Sequence, residues 1–114
     1  MAADKTLLAG STGMMLLKLL EKEDMYGYQM TEELKRRSND LFALKAGTLY
    51  PLLHSLETKG YVRSYLGMVA RRERRYYALT KEGRSHLTEK QAEWKEFSGA
   101  VSRVLEGGAL LGTV

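Results

Sequence analysis

The 114-residue sequence predicts a mainly α-helical fold carrying one small β-hairpin. Three observations lead there. Apolar residues recur at helical spacing in four separate stretches. Two β-favouring runs, Tyr61–Leu66 and Arg75–Leu79, lie between the third and fourth of them. Short Gly, Ser, Asn and Asp signals separate the elements, with no low-complexity segment and no internal repeat.

Leu7, Leu8, Met14, Met15, Leu16, Leu17, Leu19 and Leu20 predict a first helix from about Asp4 to Lys22, weakened by Gly10 and Gly13. After the polar break at Glu23-Asp24, Tyr26, Met30 and Leu34 share one face of a second helix, about Tyr26 to Arg37. Its basic end, Lys35-Arg36-Arg37, complements the helix dipole. Ser38-Asn39-Asp40 stops it, and Leu41 to Leu44 suits a brief strand. A third helix is expected from about Ala46 to Lys59, closed by Gly60. Pro51 implies a later or irregular start.

Gly67 is expected to open the hairpin loop. Thr80 is a good N-cap for a fourth helix with Glu82 in its first turn. Along that helix Leu87, Trp94 and Val101 recur every seven residues, with Phe97 and Val104 at the complementary position and Lys90 interrupting. Heptad spacing describes a seam against another helix. Gly107-Gly108 ends the pattern.

At 44% hydrophobic and 28% charged residues, the composition is that of a folded globular chain. Without cysteine there is no disulfide framework, thiolate metal site or cysteine nucleophile, which fits a cytoplasmic location. The uncharged stretch Thr6–Leu17 is shorter than the ~18 apolar residues of a membrane span, so neither a membrane partner nor a signal peptide is expected. His54 and His86 stand alone, and Gly10-Ser11-Thr12-Gly13 lacks the lysine of a phosphate-binding loop. No catalytic residue, metal ligand or cofactor is therefore expected.

The net charge of +4 is local. Residues 81–114 are neutral overall, whereas Lys59 to Arg75 holds six basic side chains against one acid, Glu73. Basic patches of this kind attract phosphate backbones. The order helix, helix, helix, hairpin, helix is that of a winged helix-turn-helix domain with an added C-terminal helix, in which the third helix enters the major groove and the hairpin is the wing.

Tyr26-Gly27-Tyr28, Gly47-Thr48-Leu49-Tyr50-Pro51 with Leu53 and Leu56-Glu57, Lys59-Gly60-Tyr61-Val62, Arg74 to Thr80 and Gly83-Arg84 together resemble the PadR-like transcriptional regulators, over about Leu7 to Trp94. The resemblance implies a homodimer held by its N- and C-terminal helices, acting as a repressor released by a small molecule. The single C-terminal helix looks like the small branch of that family, some members of which bind flat aromatic compounds against a paired tryptophan. Trp94 stands where that tryptophan would be. The sequence departs from the family pattern in the wing, with Val69-Ala70 before Arg71, Glu73 within the basic run and Ala78 where a basic residue is common.

The expected organisation is a DNA-binding domain over residues 1–80, a dimerisation helix over 81–106 and a flexible tail over 107–114. The expected double-stranded DNA contacts are Tyr28, Lys45, Gly47, Thr48, Tyr50, His54, Arg71, Arg72, Arg74 and Arg75. Two roles are open to Tyr50 and Tyr28, a DNA contact or packing. Leu7, Met14, Trp94, Phe97 and Val101 are expected in a dimer interface or an effector pocket for a planar aromatic molecule. The competing reading is a winged helix serving as a protein–protein adaptor, against which the arginine-rich wing argues.

Overall fold

The computed structural model describes residues 10–107. The order is α1 (Thr12–Leu19), β1 (Met25–Tyr26), α2 (Gly27–Arg37), α3 (Ala46–Thr58), β2 (Val62–Val69), β3 (Arg72–Leu79) and α4 (Lys81–Leu105). This is a winged helix-turn-helix: three helices, a hairpin, then a long helix. The antiparallel sheet runs β1-β3-β2, with Met25 opposite Tyr77 and Val62 opposite Leu79.

One core joins these elements. Leu16 and Leu17 of α1, Met30 of α2, Leu49 and Leu53 of α3, Val62 of β2 and Leu87 of α4 are all fully buried. In α3 the buried Leu49, Leu53 and Leu56 fall at i, i+4 and i+7, which puts one face inward and leaves the other free.

Several boundaries differ from the sequence expectation. The helix expected from Asp4 to Lys22 starts at Thr12, with Ser11 as N-cap and Gly10 in a turn, and ends at Leu19. Residues 1–9 lie outside the described residues. Tyr26, expected to begin the second helix, instead forms with Met25 a two-residue strand pairing with β3. Leu41 to Leu44 forms no strand; Phe42 and Leu44 pack against the core from an irregular segment, and the Phe42 amide donates to Ser38 Oγ at 3.0 Å.

Pro51 does not delay α3, which starts at Ala46 and contains it. Its missing N–H leaves the Gly47 carbonyl without its intrahelical donor, on a side of the helix that is exposed. The hairpin is also longer than expected, because Gly67 lies within β2, opposite Arg74. The Tyr76 ring lies across Gly67, where a Cβ would come within 2.9 Å of ring carbons. An aromatic covering a strand glycine restores the packing that glycine lacks.

Thr80 caps α4 as expected, accepting from the Gly83 amide at 2.9 Å. Gly83 sits so close to the Tyr61 carbonyl that a Cβ there would overlap the carbonyl oxygen. Gly60, with φ +83°, closes α3 and lets the Tyr61 amide donate to the Leu56 carbonyl at 2.9 Å. Beyond Leu87 no residue of α4 is buried, so the helix projects from the core. Gly107, with φ +81°, follows its last turn; the rest of the expected tail lies outside the described residues. Among the described residues no helix is long and apolar enough to cross a membrane.

Gly83→Ala is expected to destabilise the fold by about 3 kcal/mol, since the clashing atom is backbone and cannot swing aside. Thermal or urea unfolding measures it, and Ser85→Ala, at an exposed position on the same helix, serves as the matched control.

Candidate nucleic-acid interface

The outward face of α3 carries Gly47, Thr48, Tyr50, Pro51 and His54, all exposed, with exposed Lys45 as its N-cap. No side chain caps this N-terminus, and its first turn holds no acid. The partial positive charge of the helix end is thus uncompensated from within the chain. A Cβ on Gly47 would meet nothing within 4 Å, so the fold itself does not require glycine there. Tyr50 is 44% exposed, and the end of its ring closes over Gly27, where any Cβ would clash with it. Gly27 thereby lets α2 and α3 approach. Tyr28 is 65% exposed at the start of α2, which disfavours its packing role.

The hairpin reverses through Ala70 and Arg71, with φ of +50° and +66°. A two-residue loop with both central φ positive is the type I′ geometry that matches strand twist. Non-glycine residues there cost roughly 1–2 kcal/mol each. Arg71 and Arg72 are exposed at this tip.

Strand alternation separates the remaining arginines. Arg75 lies on the α3 side, where its Nη1 donates to Ser64 Oγ at 3.0 Å, and Ser64 Oγ donates to Glu57 Oε2 at 2.8 Å. Arg74 lies on the opposite face, its guanidinium 5.4 Å from the Tyr26 ring centre and its Nε buried without a hydrogen-bond partner. The structure therefore leaves Arg71 and Arg72 exposed at the wing tip, sets Arg75 on the α3 side, and turns Arg74 into the sheet's outer surface.

That outer surface is an aromatic ladder with no counterpart in the sequence expectation. Tyr65 stacks on Tyr76 at 5.6 Å, Tyr76 meets Tyr26 edge-on at 5.5 Å, and Arg63 lies 5.6 Å over Tyr65. The Tyr65 hydroxyl donates to Asp24 Oδ2 at 2.6 Å, which raises its pKa above the usual phenol value. Alternation within Tyr61–Leu66 hinted at a shared face for Arg63 and Tyr65. The pairing of Tyr26 with Tyr76, far apart in the chain, had no local signal.

The basic end of α2 is occupied by its own acid. Glu33 accepts from Arg36 Nη2 at 2.5 Å and from Arg37 Nε at 2.7 Å. These bonds, Arg36's first, hold its carboxyl at about 2 rather than 4.5.

The apolar heptad divides. Leu87 is in the core, but Trp94, Phe97 and Val101 are 50%, 62% and 39% exposed, with Val104 and Leu105 more so. Trp94 and Met14 line one groove of about 460 Å³ between α1 and α4, with Met15, Lys18, Gln91 and Lys95. Phe97 and Val101 line a second, wholly apolar hollow nearer the helix end. Leu7 lies outside the described residues. Among the described residues no three His, Asp or Glu side chains converge to hold a metal.

Residues 16–89 match the transcriptional regulator PadR-like family. A Mycobacterium tuberculosis transcriptional regulator is 37% identical over 78 residues, covering 68% of this chain and 70% of its own. A PadR-family regulator from Eggerthella lenta is 33% identical with a TM-score of 0.78, over 89% of this chain and 87% of that one. A regulator from Clostridium thermocellum superposes with a TM-score of 0.81 at 29% identity, over 89% and 96% of the two chains. The chain belongs to the PadR-like family of transcriptional regulators, and it is a regulator rather than an enzyme.

Glu33→Gln tests the α2 ion pairs. Glu33's pKa is lowered on folding, so its stabilisation is complete above pH 4.5 and is lost as pH falls towards about 2. The variant is expected to be less stable than the parent above pH 5 and equal to it near pH 2, read by chemical unfolding across that range.

Proposed function

We propose that the chain is a homodimeric, sequence-specific binder of double-stranded DNA that represses transcription and is released by a planar aromatic effector. The observation that carries the DNA reading is the exposed face of α3 flanked by an arginine-bearing hairpin, the two linked through Glu57, Ser64 and Arg75. In this reading α3 lies in the major groove. Lys45, Gly47, Thr48, Tyr50 and His54 face bases or nearby phosphates, Tyr28 reaches a phosphate from α2, and Arg71 and Arg72 engage backbone or minor groove beside it. Residues 10–80 act as the DNA-binding unit and α4 as the dimerisation helix.

Two copies join through the outer half of α4, where Trp94, Phe97, Val101, Val104 and Leu105 form an exposed apolar strip among the described residues. The two α3 helices then face half-sites about one turn apart, ~34 Å. Trp94, beside Met14 and Met15, supplies a flat, polarisable wall for an aromatic effector. Release follows if the effector binds more tightly to a dimer whose half-spacing misfits the operator.

Selection from a random duplex pool is expected to return an inverted repeat bound with a steep salt dependence. Arg71→Ala should weaken binding similarly on every duplex and lower the salt slope by about one. A pool without enrichment, before and after stripping of bound ligand, overturns the DNA reading. Phe97→Asp with Val101→Asp should yield a folded monomer in sedimentation and abolish operator binding. Tryptophan emission that no planar aromatic in a panel alters would overturn the effector reading.

A further inference from the structure

Glu57, Ser64 and Arg75 form a directed chain of hydrogen bonds from the recognition helix to the second wing strand. The Ser64 hydroxyl donates its single proton to Glu57 and accepts from Arg75, so each group's role is fixed by the others. Glu57 and Ser64 are half-buried, whereas Arg75 is exposed. The bond to Ser64 engages one of the five guanidinium donors, and the side chain is otherwise exposed, so the fork keeps donors for a ligand. Among the described residues the Arg71 and Arg72 side chains, at the tip, make no hydrogen bond or ion pair; their place is set by the turn at Ala70 and Arg71, two left-handed residues.

We propose that Arg75 is a pre-positioned phosphate clamp, and that Ser64 and Glu57 are the positioning residues that hold it. The proposal rests on the DNA reading given above. With α3 in the major groove and the hairpin tip at the adjacent minor groove, the sugar–phosphate strand dividing the two grooves faces the seam. Arg75 stands at that seam. Its planar fork suits two phosphate oxygens, and tethering through Ser64 removes rotamer freedom before DNA arrives. Glu57 carries a charge that DNA repels; joined to Arg75 through the hydroxyl, it serves as the anchor of the clamp rather than as an opposing group. Arg75 thereby fixes the angle between wing and recognition helix on the duplex.

The test follows binding of the full-length protein to its selected duplex by fluorescence anisotropy across a salt series. Arg75→Ala is expected to weaken binding about 10- to 100-fold and to lower the salt slope by about one, as loss of a phosphate contact does. Ser64→Ala keeps the charge but frees it, so binding should weaken about 3- to 10-fold with the slope unchanged. Added to Arg75→Ala, it should cost nothing further. Ser64→Thr, which keeps the hydroxyl in a β-favouring side chain, should bind as the parent does. The positioning role is overturned if Ser64→Ala binds like the parent, or if its loss multiplies with that of Arg75→Ala. The clamp is overturned if Arg75→Ala leaves affinity and slope unchanged while Arg71→Ala still reduces both. A parent protein that binds no duplex overturns the DNA reading, and this proposal with it.

Discussion

The fold turns on the junction where α3 ends and α4 begins. There Thr80 donates its amide to the Tyr61 carbonyl and its hydroxyl to the Gly60 carbonyl, while that same hydroxyl accepts from the Gly83 amide. One residue thus caps α4 and holds the turn that closes α3 with its side chain, and pins the strand entry between them with its amide. Gly83 then lets the α4 backbone settle against the Tyr61 carbonyl. With that root in place, Leu87 reaches the core shared by α1, α2, α3 and β2, and the next turns of α4 run beside α1 as far as Lys95.

From this root the molecule has two exposed ends of different chemistry. One is polar and basic, made by the outer side of α3 and the hairpin. The other is apolar, made by the far half of α4. A chain of this size has little core to spare, so leaving Trp94, Phe97 and Val104 uncovered is costly unless they find a partner surface. The α3 side is different. Its exposed residues carry no hydrophobic penalty of that size, and what singles them out is a bare helix terminus beside free arginines.

Most of the fold was legible because its signals are local. Thr80 followed by Glu82, Gly60 after Lys59, and the leucine spacing of α3 each name a cap, a stop or a buried face within a few residues. What escaped the sequence was set by distant partners. Met25-Tyr26 is a strand only because β3 lies beside it, and Gly67 stays in the sheet because Tyr76 covers it. Pro51 misled for a similar reason: its cost is met on an exposed side of a helix whose other side is held by Leu49, Leu53 and Leu56. In the candidate site, the exposure of the α3 residues followed from periodicity. The division of the arginines did not, because Arg74 and Arg75 are adjacent in sequence yet lie on opposite faces of a strand with different neighbours. Strand alternation gave the division, but only once the strand was known to extend back to Arg72.

The exposed length of α4 turns it into a lever. From Leu87, its last core residue, to Leu105 the axis rises about 27 Å at 1.5 Å per residue. A tilt of about 7° at the root therefore displaces the far end by about 3 Å, close to the rise of one base pair. In a dimer joined at those far ends, the same tilt works in reverse and moves the two α3 helices relative to one another. A change in side-chain packing too small to disturb either core is then magnified into a shift on the scale at which DNA registers are distinguished.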